Sequence, residues 1–428
     1  MKRALVHRAG AFALAFLLAA APAVTADVLI VDGNGGAAFT TIQAAVTSAV
    51  DGDVILVKSF DAYGSFSIAN LSLIVMADAG ANVTLQGSVT IQNLSADRRV
   101  VISGLSVYGQ ADLGSGLNVA NNQGAVRLQD CLFQGADNLT CQFNPFVGAG
   151  RPGVRVQGSV DTAFDGCLLV GGNGMGGAYG GPCYIGGTGG DGIYAFESTI
   201  VLTNCVLQGG MGGNATFDGL GGDGGPGFHS KDYRVVASGC LFRGGPGGIG
   251  YDFFPIEGYG NGGTGLIVDA NCSAHLLDNE YEGGAAGMSA FGVPGSPGVG
   301  QMLQGPGLFF AGSAHPLVAS PAAVREGESL SLSFSGAPGD VAMLMLHVTP
   351  NVFVLNNFGG ALLLDLPLLL GPLTFGAIPA SGTLSASVPI PELGPGIDAL
   401  PVLLQALVNE AAGLRLGGAA AIVMLDGS

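Results

Sequence analysis

The sequence predicts an all-β chain, a single-stranded right-handed parallel β-helix with long Gly-rich loops followed by a small antiparallel β-sandwich. Three observations predict it. Short apolar strands follow one another at even spacing from about residue 64. A motif running from a glycine to a cysteine returns once per coil-sized interval, and beyond residue 305 it gives way to proline-punctuated strands of period two. Period-two alternation suits a sheet with one wet face, whereas a residue type recurring once per repeat suits a stack of rungs.

Residues 1–26 read as a signal peptide. Lys2, Arg3 and Arg8 precede the apolar stretch Ala11–Ala21, which is too short for an ordinary membrane span. Val24 and Ala26 are the small residues expected before cleavage at Asp27, so the chain is expected to be secreted, periplasmic or at the cell surface. No transmembrane segment is expected elsewhere, because the apolar run Gly360–Leu373 is interrupted by Asp365, Pro367 and Pro372. With the leader set aside, 31 acidic residues face 11 Lys and Arg, a net charge of about −20. Such a surface repels phosphate backbones and excludes nucleic acid as a partner, while remaining compatible with calcium. Glycine supplies 76 of 428 residues without a strict period of three along the chain, and 48% hydrophobic against 11% charged residues excludes disorder. The glycines are therefore expected in turns and loops around strands.

The mature chain opens with a strand at 28–31, a Gly-rich turn and a short helix at about 41–49 with Thr40 as its N-cap. Asp51-Gly52 closes that helix, and Val54–Val57 is the next strand. This unit resembles the amino-terminal cap of pectin-lyase-like β-helices. The stretch Gly36-x-x-Phe39-x-Thr41-Ile42-Gln43-x-Ala45 is most similar to the opening of pectin methylesterases. Leu71–Met76, Val83–Leu85, Val89–Ile91, Val100–Ile102 and Leu105–Val107 follow as coil strands.

The repeat then becomes explicit. Cys131-Leu-Phe-Gln-Gly135, Cys167-Leu-Leu-Val-Gly171, Cys205-Val-Leu-Gln-Gly209 and Cys240-Leu-Phe-Arg-Gly244 share one pattern, their cysteines 36, 38 and 35 residues apart. Gly153, Gly192 and Gly227 open a strand ahead of the last three. A degenerate copy from Gly265 reaches Glu280 without a cysteine. Identical contexts predict an inward ladder of buried thiols, since zinc sites need converging ligands of mixed spacing. Each repeat is longer than three short strands and their turns require, and the Gly-rich surplus after Cys167, Cys205 and Cys240 should pile into one ridge of loops. Cys141 and Cys183 fall in such loops and are candidates for a disulfide in an oxidising compartment, leaving Cys272 unpaired.

Candidate chemistry is sparse. Gly186–Tyr194 matches the calcium-binding nonapeptide GGxGxDxUx through Asp191. The equivalent stretch Gly221–His229 has Pro226 in the aspartate position and Asp223 three residues earlier, so Asp191 and Asp223 are the candidate metal residues and calcium the candidate ion. The alternative for both is an ordinary glycine turn. The pectin methylesterase resemblance implies two catalytic aspartates, an arginine and nearby glutamines. Here Gly158-Ser-Val-Asp161 matches the start of that family's Gly-x-Val-Asp-Phe-x-Phe-Gly segment, but Thr162 and Asp165 depart from it. Gly150-Arg151-Pro152 precedes Asp161 where the family's arginine follows. No catalytic residue is therefore assigned, and no cofactor.

A lyase would draw its cations from Arg127, Arg151, Arg155, Arg234, Arg243 and Lys231. Trp is absent, and Tyr179, Tyr184, Tyr251 and Tyr259 are the aromatics of the Gly-rich loops. His229, His275, His315 and His347 show no ligand spacing. The leading reading is a secreted, non-enzymatic structural, adhesive or cell-surface protein, monomeric, with a surface or glycan partner. The alternative is a polysaccharide-active enzyme on acidic glycans, which a cleft holding acids and an arginine would favour. Residues 306–428 resemble the C-terminal modules of secreted planctomycete-like and myxobacterial-like proteins. They are expected to cap the last coil near Leu266–Tyr281, because an uncapped stack exposes core and strand edges.

Overall fold

The computed structural model describes residues 26–110, 114–138, 148–177, 185–215, 219–250, 259–288, 294–310, 312–355, 360–366 and 370–427. The cap forms as expected, with one difference. The helix is Ile42–Ser48, and its N-cap is Thr41, not Thr40: Thr41 is extended at φ −132° and its hydroxyl accepts the Ala44 N–H at 3.2 Å. Ile42, Ala45 and Val46 are buried against the first coils.

The coils that follow are parallel in-register strands arranged in three walls. Each coil visits them in the same order, as in Leu117–Ala120 (first wall), Ala125–Gln129 (second) and Leu132–Gln134 (third). In Ile193–Thr203 and Phe228–Ser238 the first two walls are one bent strand. Parallel pairing continues as far as Gln301–Leu303 and Gly307–Phe310. Two of the three corners are turned by residues of positive φ, with Asp232 and Tyr233 adjoining at one of them. Asn70, Asn93, Asn121, Glu197 and Asp232 stand between the first and second walls, and Asp130, Asn204 and Asp278 between the second and third. Asn and Asp tolerate this conformation because their short polar side chains bond locally.

The predicted ladder is present. Leu132, Leu168, Val206 and Leu241 pair in succession, so Cys131, Cys167, Cys205 and Cys240 stand in register just ahead of them, all buried. Each thiol donates to a carbonyl two residues back, for example Cys131 to Gln129 at 3.1 Å. Burial pushes the thiols of Cys167, Cys205 and Cys240 well above the ordinary range. The rung after Cys240 corrects the sequence alignment. Leu241 pairs with Glu280, so the cysteine position belongs to Asn279, not Glu280. Asn279 accepts the Cys240 N–H at 2.9 Å and donates to Ala237 O at 3.0 Å, ending the ladder with a satisfied amide. Cys272 lies elsewhere in the core against Ser230, at 3.3 Å. Cys141 and Cys183 lie outside the described residues, as do Tyr179, Tyr184 and Tyr251.

The Gly-rich surplus leaves from one corner, but as an ordered plate, not a ridge of loops. Outgoing runs (135–138, 171–177, 209–215, 244–250 and 283–288) form one layer, and returning runs (148–153, 185–192, 219–227, 259–265 and 294–300) form the other. Bonds within a layer recur every third residue. Gly209 and Gly212 donate to Arg243 and Pro246, and Gly189 and Gly192 donate to Asp223 and Pro226. Between layers, a zigzag runs from Gly245 to Gly225, Gly210, Gly190 and Gly172, each step 2.8–2.9 Å. Three residues per repeat with no internal bonds is the habit of the polyproline II helix, and a crowded axis between such helices admits only glycine. A Cβ on Gly213 would lie 1.8 Å from Met175 O. The period of three missing from the chain as a whole therefore exists locally as Gly-Gly-X, with both glycines inside the plate.

The C-terminal residues form a three-stranded and a five-stranded sheet around a shared core including Leu330, Phe334, Leu344, Leu404 and Ile422. Their longest strands, Ala399–Glu410 and Gly413–Leu425, pair antiparallel. The expected capping position is wrong. The five-stranded sheet lies along the outside of the second wall, where Ala323, Ala399, Val423 and Leu425 pack on Val54, Leu56, Ile74, Met76 and Val101. Gln129 and Asp165 accept the N–H groups of Ala421 (2.6 Å) and Ala419 (3.1 Å) across this seam. The physical reason is that the first coils of the second wall are apolar on their outer face too, at Val54, Leu56, Ile74, Met76 and Val101, and that patch needs cover.

Candidate functional site

Asp191 and Asp223 are both in the returning layer of the plate, on adjacent coils but out of register. Pro226 stands beside Asp191, and Asp223 stands beside Thr188. Three residues of an extended helix separate the two positions by about 9 Å along the run. Asp223 Oδ1 accepts the backbone N–H of Asn261 at 2.7 Å and its amide at 3.1 Å. Asp191 instead sits at the root of the plate, with Oδ2 3.7 Å from His229 Nδ1, while Asp269 is 3.6 Å from Nε2 of the same ring. Burial pushes the Asp191 carboxyl up to about 7 against the pull of Lys231, and burial holds His229 below its ordinary value. Tyr194 meets the His229 ring edge-on at 5.5 Å, and Lys231 lies over Tyr194 at 5.8 Å. This cluster stands on the outer face of the first wall. Among the described residues, no three His, Cys, Asp or Glu side chains are grouped to hold a metal ion.

A groove of about 410 Å³ opens where the second wall meets the C-terminal hairpin Pro350–Leu355 and Gly360–Leu364. Its floor is one row of the wall. Arg99, Ala125 and Asp161 are in register, and the row continues through Thr199 to Arg234. Four strand spacings separate its ends, about 19 Å. Asn351 and Asp365 face the row from the hairpin side. Asp161 is clamped by the buried Arg127 through two bonds of 2.6 and 2.9 Å, a bidentate geometry that fixes both groups. The amide of Asn351, at 3.0 Å, holds the Asp365 carboxyl below its usual range. Arg98 beside the groove is paired with Asp51. The Arg99 backbone N–H donates to the Ser72 hydroxyl at 3.3 Å, the guanidinium groups of Arg99 and Arg234 meet no carboxylate among the described residues, and burial lowers the Arg99 pKa.

With this geometry in view, comparison with known proteins adds little. The crystal structure of pectate lyase Pel9A is similar with a TM-score of 0.29 and 15% identity, over 60% of this chain and 70% of that chain. No protein-family model matches the chain, and no curated protein matches it.

Asp161, which the methylesterase-like echo contains, and Asp165, which departs from it, face different surfaces. Asp161 faces the groove, whereas Asp165 faces the seam with the C-terminal sheet, and Arg151 lies in the plate donating its N–H to Ala136 O. Sequence reasoning missed the Asp191–His229–Asp269 cluster, because its members are 38 and 40 residues apart and meet through stacking of coils. The signal was the register: Tyr194 and His229 hold the same position in successive repeats. Arg99 escaped notice because its partner surface comes from a hairpin 250 residues later.

Proposed function

We propose that this chain is an exported, non-enzymatic scaffold that attaches to a glycan-bearing surface through a rigid glycine plate. The observation that supports this reading is the bonding of the plate. Gly N–H groups are used within and between layers, and several X positions donate to a side chain of the coil before. Asn173, Met211 and Ile249 donate their N–H to Asp137, Asn173 and Asn214 at 2.6, 3.0 and 2.9 Å, and Pro226 and Pro246 have none to satisfy. A sheet of chain so fully bonded resists local opening. It brings the ends of five connections to one edge, and in sequence each connection contains an aromatic: Phe143, Tyr179, Phe217, Phe253 and Phe291.

The polysaccharide-active alternative draws on one observation, the Asp191–His229–Asp269 cluster with a carboxyl near 7, where a general acid or base would operate. One experiment separates the two. The mature chain is incubated with pectin, alginate and neutral glycans immobilised on a surface, with retention and release of reducing ends or unsaturated products followed together. Retention without cleavage is expected. Cleavage that disappears in Asp191→Asn would replace the scaffold reading with the enzymatic one.

A further inference from the structure

We infer that the α-ammonium group created when the leader is cut before Asp27 is the counter-ion of the buried Asp53 carboxylate, so that removal of the leader completes the first coil. The inference rests on the reading of the chain as exported and adds a structural consequence of the cut itself.

The burial and bonding of Asp53 carry the argument. Asp53 stands between the cap helix and the strand Val54–Val57 and is only 2% exposed. Its two carboxylate oxygens are used separately. Oδ2 accepts the Val50 N–H at 2.8 Å and closes the turn after the helix, while Oδ1 accepts the Asp27 N–H at 3.1 Å. Among the described residues no Lys, Arg or His pairs with it, although Arg98 pairs with Asp51 two residues earlier. A carboxylate withdrawn from water without a cation is costly, and two neutral donors offset only part of that cost.

The nitrogen at Oδ1 identifies the missing cation. Val24 and Ala26 place the expected cut at the peptide bond between Ala26 and Asp27. Hydrolysis adds one water across that bond. Ala26 leaves with a carboxylate, and the Asp27 nitrogen becomes a primary amine that is largely protonated at neutral pH. A neutral donor is thereby replaced by a charged one at the same place, already within reach of a charge-assisted hydrogen bond. The position of that nitrogen is fixed from the other side of the residue. Asp27 O accepts the Val54 N–H at 2.9 Å, and Val28–Val31 pairs in register with Val54–Val57. Val28–Val31 ends the order of its sheet, so the ion pair would fasten the strand on which the stack begins.

Packing and charge make opposite demands here. Ala26 is 2% exposed and belongs to the apolar cluster that joins Val54 and Leu56 to Ala323 and Ala399 of the C-terminal sheet. On packing alone, a chain that keeps Ala26 should be at least as stable as one that begins at Asp27. With the ion pair, the shorter chain should be the more stable, because an added residue moves the ammonium by about 3.5 Å.

The test begins with the chain exported under its own leader, whose product should have the mass of a chain beginning at Asp27. Full mature chains beginning at Asp27 and at Ala26 are then compared by denaturant titration, each as wild type and as Asp53→Asn. The folding equilibrium constant of the Asp27 chain is expected to exceed that of the Ala26 chain about tenfold or more, the effect of one buried charged hydrogen bond. Asp53→Asn should abolish or reverse that order. Acetylation of the Asp27 amine, which loses its proton well below lysine and can be modified selectively, should reproduce the loss in the wild type. This last measurement does not depend on whether Asp53→Asn folds. An Ala26 chain as stable as the Asp27 chain, or acetylation without effect, would overturn the ion pair and leave export standing. An exported chain beginning at another residue would also overturn the proposal alone, whereas a chain that is never exported would overturn the export reading with it.

Discussion

The carboxyl of Asp165 lies where the second wall meets the C-terminal sheet, taking the Ala419 N–H at 3.1 Å and the hydroxyl of Thr203. Burial raises its pKa from 3.8 to about 7, with those bonds opposing the shift. The folded chain therefore holds a proton that the unfolded chain has already released between about pH 4 and 7. The resulting stabilisation is full below pH 4, is lost as the pH rises to about 7, and is absent above it. Asp165→Asn keeps an acceptor for Ala419 and removes the charge. It should stabilise the chain by on the order of 2 kcal/mol at pH 8 and by little at pH 4. Asp191, also raised to about 7, contributes the same sign in the same window. The informative quantity is thus the difference in pH dependence between variant and wild type, measured by denaturant titration. An equal effect at both pH values would show that Asp165 is already neutral or freely hydrated. Nothing in the sequence marked this residue as an interface group, since its partner is 254 residues away. The cysteine ladder was legible for the opposite reason: one residue type recurs in one local context. The positive-φ corners were not, because Asn, Asp, Glu and Gly all serve there and no single letter repeats.

At the scale of the element, the plate shows how far a hydrophobic-pattern reading reaches. Strands announce themselves by period two and helices by 3.6, but an extended three-residue helix buries no side chain and makes no bond within itself. Its core is peptide against peptide. The legible trace was the chemistry of X in Gly-Gly-X, where Asp, Asn and Pro are frequent because each disposes of the one N–H that the glycine lattice does not use. This reading predicts unequal costs at neighbouring positions. Gly213→Ala places a methyl group 1.8 Å from Met175 O and forces the two layers apart. Asn214→Ala loses one acceptor, for the Ile249 N–H at 2.9 Å, at the exposed face. The second change should cost about 1 kcal/mol, and the first several times that, by denaturant titration. Amide exchange should accelerate across both layers in Gly213→Ala and near Ile249 in Asn214→Ala. Comparable costs at the two positions would mean that the layers are not in close contact.

At the scale of the whole molecule, the expectation that the last sheets cap the stack followed from a sound premise applied to the wrong surface. A stack of coils needs its open end covered, but here strands Gln301–Leu303 and Gly307–Phe310 add a further partial coil there. The larger uncovered apolar surface was the outside of the second wall. Its strands begin Val54-Ile-Leu-Val57 and Leu73-Ile-Val-Met-Ala77, continuous apolar runs whose residues are buried on both faces. An unbroken run of this kind marks a parallel strand covered on both sides, whereas the first wall alternates, as in Val89–Gln92. The two textures, both readable in the sequence, locate the cover on one wall. They also fix what its removal must do. A chain ending at Phe310 would leave Val54, Leu56, Ile74, Met76 and Val101 facing water in adjacent rungs, a contiguous patch of the kind that drives association. It should therefore self-associate in light scattering and bind a hydrophobic dye, while its coils keep their β-sheet circular dichroism. Threonine at Ile74 and Val101, both on that outer face, should reduce the association without restoring full stability. Were the sheets an end cap, truncation would instead fray the coils near Leu266–Leu277, and those two substitutions would change nothing. A truncated chain that stays monomeric with the wild-type denaturation midpoint would show that neither surface depends on the C-terminal sheets.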